Sequence, residues 1–235
     1  MDRTASSDMP EASALRLVVG DAGTVSARLI APPGIRACYV FAHGAGAGMD
    51  HSFMAALAAA LAAREVATLR FQFPSMERGA RRPDPPAVAH AAVRAAVAEA
   101  RRRCTGVPLF AGGKSFGGRM SSQAQALAPL EGVEGLAFVG FPLHPAGKPG
   151  LQRAEHLRAV GVPMLFLQGS RDALAQLPLL QAALAPLGLR AQLRVIEDAD
   201  HAFHVRAASG RNDREVVEEL AEAMSTWFAA QGAPR

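Results

Sequence analysis

Three residues of this sequence carry the side chains that acyl transfer needs, in the order serine, acid, histidine. Ser115 lies within Gly113-x-Ser115-x-Gly117, the G-x-S-x-G pattern of a nucleophile elbow. Asp172 follows the apolar run that ends in LQGSR, and His201 follows EDAD. Because a serine hydroxyl is a poor nucleophile, it needs a base, and the base needs a carboxylate that orients it. The pattern therefore predicts a triad with Ser115 as nucleophile, Asp172 as acid and His201 as base.

The serine motif by itself has two other interpretations. G-x-S-x-G also occurs by chance in glycine-rich loops, and Gly113-Lys114-Ser115 has the GK[ST] ending of a phosphate loop. A phosphate loop needs a glycine where this chain has Pro108. We also find no apolar strand that ends in an aspartate suited to hold magnesium. The motif therefore favours a nucleophile, while the role of Lys114 stays open.

The acid and the base also have rivals nearby in the sequence. Asp198 and Asp200 stand beside the histidine, and we expect them to have turn roles. His204 is the second choice as base, and His51 is a further alternative. Asp172 is preferred because it stands at the end of a separate predicted strand, in the order serine, acid, histidine that is typical of this kind of triad, whereas Asp198 and Asp200 share the loop of His201.

An oxyanion also needs amide donors, and a glycine-rich stretch can supply them. The segment that begins His43-Gly-Ala-Gly follows a continuous apolar run. Its glycines let the loop approach the elbow closely. We predict that the donors are the backbone N–H groups of Phe116 and Ala45, with Gly46 as the alternative to Ala45. His43 itself is expected to support this loop rather than to react.

Alternating strands and helices must position these groups. Apolar runs and period-two alternation predict strands over 15–19, 25–30, 37–42, 66–71, 107–111, 133–140, 163–167 and 189–196. Helices are predicted over 52–63, 85–103 with Asp84 as its cap, from the elbow to Pro129, 153–160, 178–187, and after an Asn212 N-cap. The first two strands read as an antiparallel pair and the others as parallel. The carboxyl ends of parallel strands meet at one edge of a sheet, so His43, Ser115, Asp172 and His201 should converge there.

Composition bounds the remaining possibilities. The 235 residues suffice for one domain, predicted over 14–235 after a flexible tail, 1–13. No eighteen-residue apolar run exists, and the N-terminus has no apolar signal core, so neither membrane insertion nor secretion is expected. Cys38 and Cys104 are predicted to be buried free thiols in a cytoplasmic protein. A net charge of +4 without aromatics among the basic runs argues against nucleic-acid binding. No spacing suggests a metal site or an organic cofactor.

Two loops are predicted to form the pocket. One covers 72–86, and the other, 141–150, lies where related folds insert a lid; we predict no separate cap domain because too few residues are available. The candidate substrate contacts are His43, Met49, Phe73, Met76, Arg78, His144 and Lys148. The basic members could recognise a negative group, although ordinary loop polarity explains them equally well.

Several segments together resemble one family. HGAGAGMDHSFM, FPSMERGARRPD, GGKSFGGRM, GFPLHPAGKP, LQGSRD and DADHAF resemble a family of predicted α/β-hydrolases. That family is related to dienelactone hydrolase-like proteins and to a group that includes a testis-expressed protein and a chromatin-acetylation-complex subunit. The resemblance spans about residues 36–204 and implies the α/β-hydrolase fold and a triad at Ser115, Asp172 and His201. Dienelactone enzymes carry cysteine where this chain has Ser115, so their particular reaction is not implied.

The sequence thus predicts a serine hydrolase that acts on a small-molecule carboxylic ester or thioester, with an anionic substrate left open. A binding or scaffold protein on the same fold, and a small-peptide hydrolase, are the alternatives, because a fold does not fix a function. We expect a monomer or a homodimer.

Overall fold

An eight-stranded sheet forms the centre of the computed structural model, which describes residues 11–232. Its strands are β1 (Ser13–Val18), β2 (Thr24–Ile30), β3 (Ala37–Ala42), β4 (Val66–Phe71), β5 (Leu109–Lys114), β6 (Val133–Val139), β7 (Met164–Gly169) and β8 (Ala191–Ile196). They lie in the order β1-β2-β4-β3-β5-β6-β7-β8. β2 pairs antiparallel with both β1 and β4, and all other neighbours are parallel. The predicted α/β class with a mostly parallel sheet is therefore confirmed.

Helices cover both faces of the sheet. They are α1 (Ser52–Ala62), α2 (Pro74–Glu77), α3 (Pro86–Arg103), α4 (Phe116–Leu127), α5 (Leu177–Leu184) and α6 (Asp213–Gln231). Short 3₁₀ segments occupy Gly20–Ala22, Gln152–Ala159, Ala185–Arg190 and Ala207–Ser209. The apolar side chains of α1 and α6 join one core cluster, and those of α3, α4 and α5 join the other. No inserted lid domain lies among the described elements.

Strand β3 shows why the central strands are apolar throughout. Tyr39 and Phe41 point to the α1 and α6 side, whereas Cys38 and Val40 point to the α3 and α4 side. Side chains alternate across a strand, and both faces are covered by helices, so every residue of β3 is buried. β8 at the sheet edge instead alternates between half-buried and exposed positions, as its sequence predicts.

The loop predicted over 72–86 is partly helical, which corrects one expectation. Pro74 begins the short helix α2, where its fixed φ and missing N–H fit the first turn. Asp84, expected to cap α3, is buried and accepts hydrogen bonds from the Ser75 amide (2.7 Å) and the Arg78 guanidinium (3.1 Å). The carboxylate therefore satisfies the start of α2, and α3 begins at Pro86 without a side-chain cap.

Two other predicted helices also differ in detail. The segment predicted over 153–160 is the 3₁₀ segment Gln152–Ala159. The helix predicted over 178–187 divides into α5 and the 3₁₀ segment Ala185–Arg190, because Pro186 has no N–H to continue the α-helical ladder. By contrast, α6 begins at the predicted capping box, in which Asn212 and Glu215 each accept the other's backbone N–H, at 3.1 and 3.0 Å.

The chain ends fall partly outside the described residues. Of the predicted tail, 1–13, residues 1–10 lie outside the described part of the chain. β1 begins at Ser13. The single domain predicted over 14–235 stays a prediction, and 233–235 are also outside. Cys38 and Cys104 are both buried and free. Over residues 11–232, no helix is long and apolar enough to cross a membrane.

Glycines permit an unusually close approach of β3, β5 and α4. A Cβ atom on Gly113 would lie 2.3 Å from the carbonyl oxygen of Ala42 in β3. A Cβ atom on Gly117, in the first turn of α4, would lie 2.5 Å from the same oxygen and 2.6 Å from that of His43. Real Cβ contacts are never this short, so a side chain at either position forces backbone to move. The elbow glycines are therefore required by packing.

Gly117→Ala should destabilise the protein by about 1–3 kcal/mol, because the new methyl group meets two rigid backbone carbonyls. Urea unfolding followed by circular dichroism measures the change. Gly161→Ala is the matched control, since nothing lies within 4 Å of a Cβ atom there and its φ is ordinary. Equal stability of the two variants would contradict the packing argument.

Candidate active site

Ser115 sits alone between β5 and α4 in a strained conformation. Its φ and ψ are 50° and −116°, a region that residues with a side chain rarely adopt. The Ser115 amide donates to the carbonyl of Val139 at the end of β6 (3.1 Å), and the Ser115 carbonyl accepts the Arg119 amide (3.1 Å). The turn is thus fixed by the neighbouring strand on one side and by α4 on the other. This geometry is that of a nucleophile elbow.

The structure brings the three predicted triad residues into one hydrogen-bonded chain. Ser115 Oγ lies 2.8 Å from Nε2 of His201, and Nδ1 of His201 lies 2.6 Å from Oδ2 of Asp172. Ser115 follows β5, Asp172 follows β7, and His201 follows β8. Three separate loops at the carboxyl edge of the sheet therefore supply the set.

Further contacts orient the Asp172 carboxylate. Its side chain is fully buried, and Oδ1 accepts the amide of Leu174 at 2.7 Å. Gln168, at the end of β7, donates its side-chain N–H to Oδ2 and accepts the Phe141 amide at 2.9 Å. These donors fix the orientation of the carboxylate, so that Oδ2 also faces Nδ1 of His201. Sequence reasoning did not single out Gln168; its polarity inside an otherwise apolar strand was the available signal.

The rival acids and bases are engaged elsewhere. Asp200 Oδ1 accepts the amides of Ala202 (2.8 Å) and His204 (3.0 Å), which is the expected turn role. Asp198 has a positive φ of 60° in the turn after β8. His204 pairs with Asp213 at 2.9 Å on the surface, and that carboxylate raises the pKa of His204.

His51, the remaining alternative base, caps a helix. Its Nδ1 accepts the amide of Phe53 at the start of α1 (3.3 Å). In the structure it is His201 that contacts Ser115, and Asp172 that contacts His201.

His43 is buried and uses both ring nitrogens to hold backbone. Nδ1 lies 2.7 Å from the carbonyl of Gly44, and Nε2 accepts the amide of Phe73 at 3.1 Å. Burial lowers the pKa of His43, which keeps the ring neutral so that one nitrogen donates while the other accepts. The histidine thereby ties the loop after β3 to the loop after β4, and its position fits the supporting role expected for it.

The predicted oxyanion donors border a narrow cavity of about 10 Å³ at the start of α4, and Ser115 itself is not among its lining residues. Ala45, Gly46 and Phe116 line it, together with His43 and Phe73. The Phe116 amide belongs to the first residue of α4, where N–H groups have no partner within the helix. The edge of the Phe116 ring packs on Phe73 with centroids 5.3 Å apart, which fixes this wall of the cavity.

The predicted substrate contacts divide into two groups. Phe73 and Met76 line the cavity together with the residues named above, whereas Met49, Arg78, His144 and Lys148 do not. Arg78 pairs with Asp84, and Lys148 lies on an exposed loop.

The other two residues of this second group, His144 and Met49, take part in hydrogen bonds within the loops. His144 is buried, with Nδ1 2.9 Å from the Pro145 carbonyl and Nε2 accepting the Gln176 amide. The amide and carbonyl of Met49 are held by the side chains of Gln72 and Arg70. These residues shape loops and do not face the cavity.

Two arginines outside the predicted set of substrate contacts also reach the cavity. Arg81 and Arg82 line its rim, next to Pro83. Both are exposed. The acid in their loop, Asp84, is already paired with Arg78. The rim is therefore positively charged. Within 11–232, no group of three or more His, Cys, Asp or Glu residues is arranged to hold a metal ion.

Comparison with known proteins agrees with this architecture. The chain is similar to a dienelactone hydrolase from Anabaena variabilis, with a TM-score of 0.75, 20% identity, and coverage of 96% of this chain and 100% of that one. A Xanthomonas campestris protein described as a serine hydrolase without lid has a TM-score of 0.72 and 23% identity, with coverage of 96% of this chain and 97% of that one. The esterase domain of a Rhodothermus marinus protein has a TM-score of 0.71 and 16% identity, with coverage of 95% of this chain and 100% of that one. At these identities the likeness concerns the fold.

The family model for an alpha/beta hydrolase domain matches residues 35–229, which include all three residues of the hydrogen-bonded chain. Since the match covers most of the sequence, this protein belongs to the alpha/beta hydrolase domain family, and its fold and family membership indicate a hydrolase.

Proposed function

We propose that this hydrolase cleaves a carboxylic ester or thioester through a serine triad and an acyl-enzyme. The observation that carries the proposal is the unbroken chain of contacts from Asp172 to His201 (2.6 Å) and from His201 to Ser115 (2.8 Å). Each distance is that of a strong hydrogen bond. A scaffold protein would have no need for a strained serine beside a histidine whose carboxylate partner is buried.

The proposed reaction follows from these contacts. Ser115 Oγ attacks the carbonyl carbon while Nε2 of His201 takes the hydroxyl proton. Asp172 keeps the proton on Nδ1 and stabilises the imidazolium that forms. The amides of Phe116 and Ala45 donate to the oxyanion, a contact that is worth about 10²–10³ in rate per donor. His201 returns the proton to the leaving alcohol or thiol, and water then hydrolyses the acyl-enzyme by the same steps.

The residues around this small cavity indicate what the part of a substrate nearest the predicted oxyanion donors would meet. Phe73, Phe116 and Met76 offer apolar contacts close to the predicted oxyanion donors, while His43 is already committed to backbone. No lid element covers this edge among the described residues. We therefore propose small-molecule esters or thioesters, with Arg81 and Arg82 favouring those that carry a negative charge away from the scissile bond.

Removal of the nucleophile tests the proposal most directly. The wild-type protein should be labelled by a fluorophosphonate probe and should hydrolyse 4-nitrophenyl acetate, and Ser115→Ala should do neither. Asp172→Asn should lower kcat by about 10⁴, because the histidine then adopts the wrong tautomer. Asp198→Asn is the matched control, since asparagine tolerates the positive φ at this position, and it should leave kcat within about twofold.

Two results would overturn this function. A wild-type protein that is neither labelled nor active on short esters and thioesters would favour the binding or scaffold alternative. Loss of activity in Asp198→Asn together with its retention in Asp172→Asn would instead show that the acid is misassigned.

The arginine pair makes a separate prediction about selectivity. Arg81→Ala/Arg82→Ala should lower kcat/KM for the mono-4-nitrophenyl ester of succinate by about tenfold in low salt and leave 4-nitrophenyl acetate nearly unchanged, because only the first carries a distal carboxylate. Added salt at 0.5 M should shrink the difference. Arg158→Ala removes one charge from an exposed distant position and serves as control. Equal losses on both esters would show that the pair does not select by charge.

A further inference from the structure

Lys114 stands out because the chain uses lysine so rarely. Lys114 and Lys148 are the only two lysines among the 25 basic residues, and all others are arginine. Lys148 lies on an exposed loop, whereas Lys114 is half-buried and immediately precedes Ser115. A long charged side chain within the elbow costs desolvation free energy, so a specific partner is expected.

That partner is the backbone of His201. The ammonium group of Lys114 donates a hydrogen bond to the His201 carbonyl. It also lies over two aromatic rings, 5.0 Å from the centroid of Phe203 and 5.8 Å from that of Phe53. These rings stack on each other with centroids 5.7 Å apart, so α1 and the loop after β8 together enclose the cation.

A missing side chain makes room for this contact. Gly140 follows β6 with a φ of 69°, and a Cβ atom there would lie 3.0 Å from Nζ of Lys114 and 3.5 Å from Cε1 of His201. The ammonium group and the imidazole therefore face each other across Gly140. A compact ammonium fits this space, whereas the planar fork of an arginine would crowd it.

His201 is consequently held at two points. Asp172 holds its ring through Nδ1, and Lys114 holds its main chain from the side of the elbow. The same lysine adjoins Ser115 in sequence, so one side chain connects the nucleophile turn to the loop that carries the base. A shift of about 1 Å in such a base can cost about 10² in rate.

We propose that Lys114 is a positioning residue for His201: its ammonium group anchors the His201 carbonyl across Gly140 and so fixes the imidazole between Ser115 and Asp172. The inference rests on the proposed function for its effect on rate, but not for its effect on the position of the histidine.

The charges around Lys114 give the anchor a pH dependence. Burial lowers the pKa of Lys114 to about 8, against the opposing attraction of Asp172 after β7 and Asp200 after β8. The other elements packed on the ammonium present the rings of Phe53 and Phe203, the imidazole of His201 and the backbone of Gly140. Below about pH 8 the group is a cation; above it the charge is lost and the hydrogen bond to the His201 carbonyl weakens.

Kinetics of three variants test the rate effect. Lys114→Met keeps the length and removes the ammonium; it should lower kcat about 10- to 100-fold with KM changed less than about threefold. In the wild type kcat should fall as the pH rises through about 8, where the ammonium group loses its charge, and this fall should be absent from Lys114→Met. Lys114→Arg keeps its charge throughout this range but in a crowded space, so it should also lack the fall while it loses rate. Arg158→Met, which removes a charge from an exposed position, should match wild type.

An NMR measurement tests the anchor without any substrate. With [ε-¹³C]lysine the protein gives only two signals, and Lys114→Met identifies the one from Lys114. That signal should be shifted by ring currents and titrate near pH 8. The His201 ring signals, assigned with His201→Asn, should move in Lys114→Met and stay in place in Arg158→Met.

The outcomes separate this inference from the proposed function. Inertness of the wild type to probe and esters would refute the hydrolase proposal, while the NMR signals would still decide on the anchor. A folded Lys114→Met with kcat within twofold of wild type and a superimposable pH profile would overturn the inference. So would unchanged His201 ring signals, or a Lys114 signal that titrates as a solvent-exposed lysine does.

Discussion

The site depends on one packing constraint, the contact of β3, β5 and α4 backbones at positions without side chains. Gly113 and Gly117 allow α4 to begin against the end of β3, and this proximity forces Ser115 into its strained turn. The serine hydroxyl then stands clear of the sheet next to the first amide of α4. A larger residue at either glycine would move the helix, and with it the hydroxyl and the predicted oxyanion donors.

The same edge of the sheet is held together by polar side chains that bind backbone. His43 joins the loops after β3 and β4, and Gln168 joins the end of β7 to the segment after β6. Asp200 closes the turn that carries the histidine. These contacts leave few alternative positions for the reacting groups, which is what preorganisation of a hydrolytic site requires. Lys114 belongs with them, since it too acts on a neighbour's main chain.

Prediction succeeded where local pattern and global fold agree. The strands β3 and β8 were both recognisable from sequence. A strand that is covered on both faces, such as β3, is apolar at every position, whereas a strand that is covered on one face, such as β8, alternates between apolar and polar residues. The capping box of α6 was recognisable because all its partners lie within four residues. Asp84 was misread for the opposite reason: its neighbours in sequence suggested a cap for α3, but it binds Ser75 and Arg78, which the chain brings back from α2.

The sequence by itself determined the α/β class, the alternating elements and the residue types of the candidate triad, because strand periodicity, glycine spacing and the order of serine, acid and histidine are local or ordinal features. Only the tertiary structure decided which partners meet. It paired His201 with Asp172 while Asp198 and Asp200 lie in the turn before it, and it placed His144 and Met49 outside the lining of the cavity. It also set Lys114 against the carbonyl of a residue 87 positions away. Such contacts arise from the register of parallel strands, and no short stretch of sequence records that register.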